Sequence, residues 1–271
     1  MTGNKTTNEN RFRFGRNWKN YLHYLDESQI QNSMASLKLM LEGVDLKDKT
    51  FLDIGSGSGL SSLAAIRLGA KVTSFDYDLD SVKATKGLKK KFKIKSDWTV
   101  QQGSVLDQNF LNSIGKFDIV YSWGVLHHTG NMSQALANTE RIVKKNGILF
   151  IAIYNDQGYK SVIWRKIKLI YNKYPLIRPI MVFIFVLYFW LPKSIYDFFR
   201  LKPFISWKEY KKRRGMSPFF DVIDWIGGYP FEYSKPEDII KYFRVKNFTL
   251  INLKTCGGKL GCNEFVFKKN E

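Results

Sequence analysis

The stretch Phe51-Leu52-Asp53-Ile54-Gly55-Ser56-Gly57-Ser58-Gly59 decides the fold. Thr50 to Ile54 reads as a short buried strand, apolar on both faces as a central parallel strand is. It runs into three glycines at alternate positions. Leu60, Leu63, Ala64 and Leu68 then fall on one face of a helix. Strand, glycine turn and helix start together form a nucleotide cradle. Glycine lets the backbone approach a ligand closely, and a helix start offers free N–H groups to polar or anionic atoms. About twenty residues on, Lys71 to Asp76 reads as a second strand. Its terminal carboxylate stands where a pair of ribose hydroxyls is held in such folds.

Two cofactor classes use this plan. A dinucleotide fingerprint needs glycine at its first, third and sixth positions. Those are Gly55, Gly57 and Leu60, so the last glycine is missing. The pattern present is Asp53-x-Gly55-x-Gly57-x-Gly59. It resembles the first motif of class I S-adenosylmethionine-dependent methyltransferases. Further similar pieces follow in order: Asp76-Tyr77, Gly103-Ser104-Val105-Leu106-Asp107, and the segment from Phe117 to His128. The resemblance covers roughly 48–153, and its motifs are specific to the cofactor, not to the acceptor.

The resemblance implies a Rossmann-like α/β fold. It has a seven-stranded, mostly parallel sheet with helices on both faces, and one C-terminal strand antiparallel. Asp53, Gly55, Gly57 and Gly59 are assigned to the methionine and ribose side of S-adenosylmethionine. Asp76 takes the ribose hydroxyls, Tyr77 lies along the adenine face, and Ser104 and Val105 meet the adenine edge. Many relatives carry an acid where Ser104 stands. Ser122 and Trp123 border the transferable methyl. A helix cap is the competing role for Asp76.

Methyl transfer to oxygen benefits from a base near neutral pKa. His127 and His128 are the candidates, against a packing or hydrogen-bonding role; the third histidine, His23, belongs to the N-terminal segment. Tyr154 and Asn155 end the fifth strand at the carboxyl edge of the sheet, where ligands sit, and are candidate acceptor contacts. Trp225 and Tyr229 join them from an aromatic, acidic patch with Asp221, Asp224 and Glu232, as does Trp18. Core packing explains the aromatics equally well. No metal site is expected.

The 43 Lys and Arg against 24 Asp and Glu leave a formal charge of +19, which favours an anionic partner. Cys256 and Cys262 flank a Gly-Gly turn. A disulfide across it is conceivable, but a reduced pair in a cytoplasmic protein is the expectation. Met1 to Asn10 is polar, with no apolar signal sequence.

Four parts are expected: an N-terminal helical segment at 1–47, with Phe14 to Trp18 as a lid or an edge-packed helix; the cofactor core at 48–154; a helical insertion at 155–230; and a helix with a hairpin at 231–271. Within the core, strands are expected at 51–54, 71–76, 97–101, 117–122 and 147–153, and helices at 59–68, 80–92, 107–114 and 131–145. The insertion carries the apolar run Ile180 to Leu191 between Pro179 and Pro192, with basic residues on both sides and only Asp197 and Glu209 as acids from Gly158 to Gly215. A dozen apolar residues are short for a bilayer crossing. A buried core helix, a re-entrant segment and an interfacial helix all fit, as does a simple cap over the site. The basic flanks suit an anionic membrane surface, peripheral at its inner face.

The leading functional expectation is a methyltransferase acting on a small or lipid-linked acceptor, at oxygen. A cofactor-binding domain serving membrane or protein docking is the second. Nucleic-acid methylation is third. Ser122-Trp123-Gly124-Val125 replaces the Asn/Asp-Pro-Pro-aromatic motif common in enzymes that methylate amino groups of nucleic acids. Oligomeric state is left open.

Overall fold

A computed structural model describes residues 11, 12, 14, 15, 25–95, 97–214 and 218–271, the last four residues of the helix ending at Arg214 by backbone only. Trp18 and His23, and the Arg16 to Trp18 part of the expected lid, lie outside the described residues.

Seven strands form one sheet: β1 (Thr50–Ile54), β2 (Lys71–Asp76), β3 (Trp98–Gln102), β4 (Phe117–Trp123), β5 (Val143–Tyr154), β6 (Phe248–Lys254) and β7 (Cys262–Lys269). The order is β3-β2-β1-β4-β5-β7-β6. Strands β1 to β5 run parallel, and β7 is antiparallel to both β5 and β6. The fold and its C-terminal hairpin are as the sequence predicts.

The core helices are α1 (Glu27–Met40), α2 (Leu60–Arg67), α3 (Leu79–Lys91), α4 (Gln108–Ile114) and α5 (Met132–Arg141). Short polar side chains start four of them. Asp26 forms a capping box on α1, and Asp78, Asp107 and Asn131 accept from the first-turn amides of α3, α4 and α5. α5 ends at Arg141, short of the expected boundary at 145. Phe117 pairs with Val143, so β5 begins there and recruits residues that helical periodicity alone assigns to the helix.

Alternation along each central strand divides the core into two layers. Phe51, Ile119 and Phe150 pack with α1 and α2 through Leu37, Leu63 and Ala64. Their neighbours Leu52, Val120 and Ile151 pack on the other face with Leu136 of α5 and Phe243 of α10 (Pro236–Arg244). Burial on both faces is what β1 and β4 require as interior parallel strands.

The insertion builds a third cluster, joined by Phe231 from the C-terminal part. It comprises α6 (Tyr159–Lys173), α7 (Arg178–Phe199), α8 (Ile205–Arg214) and α9 (Pro218–Gly227). Trp164, Tyr171, Trp190, Val222, Ile226 and Phe231 are its buried centre. The buried Asp197 carboxylate ties α7 to α8 by accepting from the Ser206 amide at 2.9 Å and the Ser206 hydroxyl at 2.6 Å. Helix α7 is longer than the apolar run suggests. Pro192 lies inside it, and the helix spans 22 residues in all. The bilayer-length objection raised from the run alone therefore falls away, since Pro175–Phe199 has the length and composition to cross a membrane.

Candidate active site

A cleft of roughly 1510 Å³ opens at the carboxyl ends of β1, β2 and β4 and runs to the inner side of α7 and α9. Its first half is built by the glycine turn. Gly55 and Gly57 take positive φ of 74° and 54°, which L side chains rarely adopt. The Gly57 amide donates to Asp76 Oδ2 at 3.0 Å, and the Asp78 amide donates to Asp76 Oδ1 at 2.8 Å. Each carboxylate oxygen keeps a lone pair free for a further donor. Burial raises the Asp76 pKa to about 6, while the two amides and the Arg11 charge pull against that rise. Asp53 is buried beneath the turn and receives the Ser62 hydroxyl. Burial carries its pKa to about 7 against that bond.

The sequence-predicted residues divide cleanly. Asp53, Gly55, Gly57, Asp76, Tyr77, Ser104, Val105, Trp123, His128, Tyr154 and Trp225 all border the cleft. Gly59, Ser122, His127, Asn155 and Tyr229 do not. Gly59 starts α2 at φ 83°, and a Cβ there would stand 2.9 Å from Thr85 Cγ2, so its task is close packing of α2 on α3. Ser122 is fully buried and donates to the Ile54 carbonyl at 3.2 Å. Asn155 Oδ1 accepts from Asn263 Nδ2 at 3.0 Å, joining β5 to β7. The Tyr229 carbonyl accepts the Phe12 amide at 2.9 Å. Glu232, grouped by sequence with the acidic patch, instead accepts the Met132 amide at 3.0 Å at the start of α5.

The two histidines differ although they are adjacent. His127 is fully buried, and its Nδ1 accepts the Tyr154 amide at 3.2 Å. Burial first, then the neighbouring His128 and Lys168, hold it neutral with a pKa well below the ordinary value. With Nδ1 engaged by that amide, the proton sits on Nε2, which is buried with no partner among the described residues, and the residue does not line the cleft. His128 Nδ1 donates to the Pro230 carbonyl at 2.6 Å, since a carbonyl can only accept. That fixes the tautomer with the lone pair on Nε2. Burial lowers its pKa to about 3.

Sequence reasoning missed several cleft residues. Arg11 lies over the Tyr77 ring, 4.3 Å from its centroid, and Phe14 packs on His128 with ring centroids 5.0 Å apart. Phe189, Trp190 and Lys193 of α7 and Tyr210 of α8 complete the far wall. Lys193 Nζ sits 4.2 Å from the Trp190 ring centroid, and the Tyr210 hydroxyl bonds to Asp221. None of these carries a motif; the lid expectation reached Phe14, the aromatic density of the insertion is the sequence signal for Phe189, Trp190 and Tyr210, and Arg11 has none. The Trp225 Nε1–H is buried with no partner among the described residues. On the β7 side, Cys256 and Cys262 are both free thiols.

Comparison with known proteins follows the same boundary. Residues 52–151 match the family model described as a methyltransferase domain. The chain is 31% identical over 125 residues to ubiquinone biosynthesis O-methyltransferase of Pelagibacter ubique, covering 46% of this chain and 50% of that protein. It is 25% identical over 138 residues to the protein of that name from Colwellia psychrerythraea, covering 49% and 55%. The chain thus spans about half the length of these curated relatives. Among solved structures, magnesium protoporphyrin IX methyltransferase of Synechocystis PCC 6803, with bound SAH, superposes with a TM-score of 0.54 at 14% identity, covering 100% of this chain and 90% of that one. That likeness concerns the fold.

Proposed function

We infer, from the match of residues 52–151 to a methyltransferase domain, that this chain is a class I S-adenosylmethionine-dependent methyltransferase and that it methylates an oxygen of a small, largely apolar acceptor. The observation that carries the reading is the Asp76 carboxylate. It is held by two backbone amides at the mouth of a glycine turn, each oxygen keeping a free lone pair, in a cleft that continues into an aromatic chamber. That donor set fits a vicinal hydroxyl pair. Arg11 over Tyr77 closes the same end with a flat aromatic surface suited to a purine.

S-adenosylmethionine supplies, when bound, a sulfonium methyl for in-line displacement. What remains for the protein is alignment and exclusion of water. Trp123 and Tyr154 border the same cleft as the glycine turn and as Phe189, Trp190 and Trp225. These rings favour an acceptor with an apolar body, including a lipid-linked one. His128 Nε2 is a neutral acceptor that can orient a hydroxyl proton, and the unpartnered Trp225 Nε1–H offers a donor to an acceptor oxygen. The two relatives are O-methyltransferases by name, which supports oxygen as the acceptor atom.

The experiment is calorimetry with S-adenosylhomocysteine, then assay of its release from S-adenosylmethionine against alkyl-chain phenols, alcohols and amines. Micromolar-range product binding, roughly 8 kcal/mol, and turnover on hydroxyl acceptors are expected. Tighter binding of NAD than of S-adenosylhomocysteine would overturn the reading. Binding without turnover on any hydroxyl compound, but with turnover on amines, would move the acceptor atom to nitrogen.

A further inference from the structure

Helix α7 has two apolar faces, and the protein covers only one. Met181, Val182, Phe185, Val186, Phe189 and Trp190 pack into the aromatic cluster of the insertion. Ile180, Phe183, Ile184, Leu187, Tyr188 and Leu191 point outward, with Phe183 64%, Leu187 41% and Leu191 50% exposed. The outward set recurs at helical spacing and continues through Ile195 and Phe198, so it forms one stripe along most of the helix. Scattered apolar residues on a surface need no explanation, but a contiguous stripe marks a surface that is covered in use.

We propose that this stripe is a docking surface for an anionic membrane leaflet, with α7 lying in the plane of the headgroup boundary. Charge selects this occupant over a second copy of the chain. Residues 159–214 carry fourteen Lys and Arg against two acids, Asp197 and Glu209. The Asp197 carboxylate is already buried against Ser206, so it does not offset the surface charge. Lys166, Lys173, Lys202 and Lys208 are exposed, and they bracket the stripe in sequence. Self-pairing through the stripe would bring two such basic surfaces together. Anionic headgroups would instead neutralise them while the acyl boundary takes up the apolar side chains.

The same packing separates lying on the bilayer from crossing it. A crossing helix needs lipid or protein on every side. Here the inner face is committed to Trp164, Trp225 and Phe231, and Trp190 is buried in that cluster. Crossing would strip those partners away. Lying flat keeps the cluster intact and covers only the open face. The inner face also lines the cleft through Phe189, Trp190 and Lys193, so docking sets a cleft wall at the lipid boundary. The docking surface does not depend on methyl transfer for its evidence.

The test is co-sedimentation of the full chain with phosphatidylcholine vesicles and with vesicles containing phosphatidylglycerol. Two variants accompany it: Phe183→Ser/Leu187→Ser/Leu191→Ser and Lys202→Ser/Lys208→Ser. All five positions are exposed, so both variants should fold, and calorimetry with S-adenosylhomocysteine checks the cofactor half in the same samples. Binding to anionic vesicles is expected, weakening with salt. The lysine variant should lose about fivefold for each charge removed, and the stripe variant on the order of a hundredfold. No sedimentation at low salt, equal binding to neutral vesicles, or undiminished binding by the stripe variant would overturn the proposal. So would a dimer in ultracentrifugation that the stripe substitutions dissociate, because a second copy would then be the occupant.

Discussion

The Gly57 amide donates to Asp76 Oδ2 at 3.0 Å, so the glycine turn after β1 and the end of β2 are tied into one unit at the cleft. Asp76 must be ionised to accept from both backbone amides and a hydroxyl pair together. Its pKa in the folded chain is raised to about 6, chiefly by burial. Affinity for S-adenosylhomocysteine should therefore rise with pH through about 6 and level off above it. Asp76→Asn should flatten that profile and weaken binding by about 1.5–3 kcal/mol for each charge-assisted bond lost. The ligand-free protein behaves oppositely. An unfolded aspartate titrates near ~3.9, so between that value and 6 the folded state holds the extra proton. Stability then falls as pH rises. Thermal melts from pH 4.5 to 7 should show a smaller decline in Asp76→Asn than in the native chain.

His128 and His127 should separate in assay. His128→Ala removes the Nε2 acceptor at the cleft and should lower turnover with little change in product affinity. A general base contributes about 10²–10⁴-fold. The loss should fall at the low end, because a pKa of about 3 makes this imidazole a weak base. For the same reason, no inflection near pH 6.5 should appear in the rate profile at saturating S-adenosylmethionine. His127→Ala should instead act on stability, since it frees the Tyr154 amide and leaves a cavity beneath β5. Full activity in His128→Ala would leave alignment alone as the source of catalysis.

The cofactor half was legible because its chemistry is local. A strand, alternate glycines and a carboxylate one strand later must stand at fixed spacing, and Asp53, Gly55, Gly57 and Asp76 border one cleft. Adjacent positions were harder, because strand alternation sends neighbours to opposite sides. Ser122 went inward while Trp123 faced the cleft. The far wall of the cleft was illegible for a different reason. Arg11, Phe189 and Tyr210 come from the N-terminal segment and two insertion helices, and they meet only in the folded chain. The apolar run from Ile180 showed no periodicity because both its faces are apolar. Only packing of one face against Trp164 and its neighbours exposes the other.

Gly55 and Gly59 should fail differently when replaced by alanine. A Cβ on Gly55 would stand 2.5 Å from both methyl carbons of Val125, at the floor of the cleft. A Cβ on Gly59 would meet Thr85 Cγ2 at 2.9 Å, away from it. Both residues sit at positive φ, which adds backbone strain of roughly 1–3 kcal/mol. Gly59→Ala should lower the melting temperature yet leave cofactor affinity, measured well below that temperature, near native. Gly55→Ala should reduce both. Equal losses of affinity would mean that the α2–α3 packing also shapes the cradle.

Trp225→Phe offers the sharpest test of the proposed acceptor chamber. The substitution keeps most of the aromatic surface against Trp164 and Tyr154 and deletes the Nε1–H. That donor is buried with no partner among the described residues, so its removal should cost the fold nothing and can stabilise it. If an acceptor oxygen receives it, kcat/KM should drop by about 5–10-fold, the worth of one neutral hydrogen bond at ~1–1.5 kcal/mol. The drop should spare acceptors lacking that oxygen and leave S-adenosylhomocysteine binding unchanged. Lys168 sharpens the comparison, because its Nζ lies 4.4 Å from the Trp225 ring centroid. Phe retains a ring face for the cation, so a native melting profile should accompany the kinetic loss. A lower melting temperature with unaltered kcat/KM would assign Trp225 to packing and leave the chamber selecting its acceptor by shape.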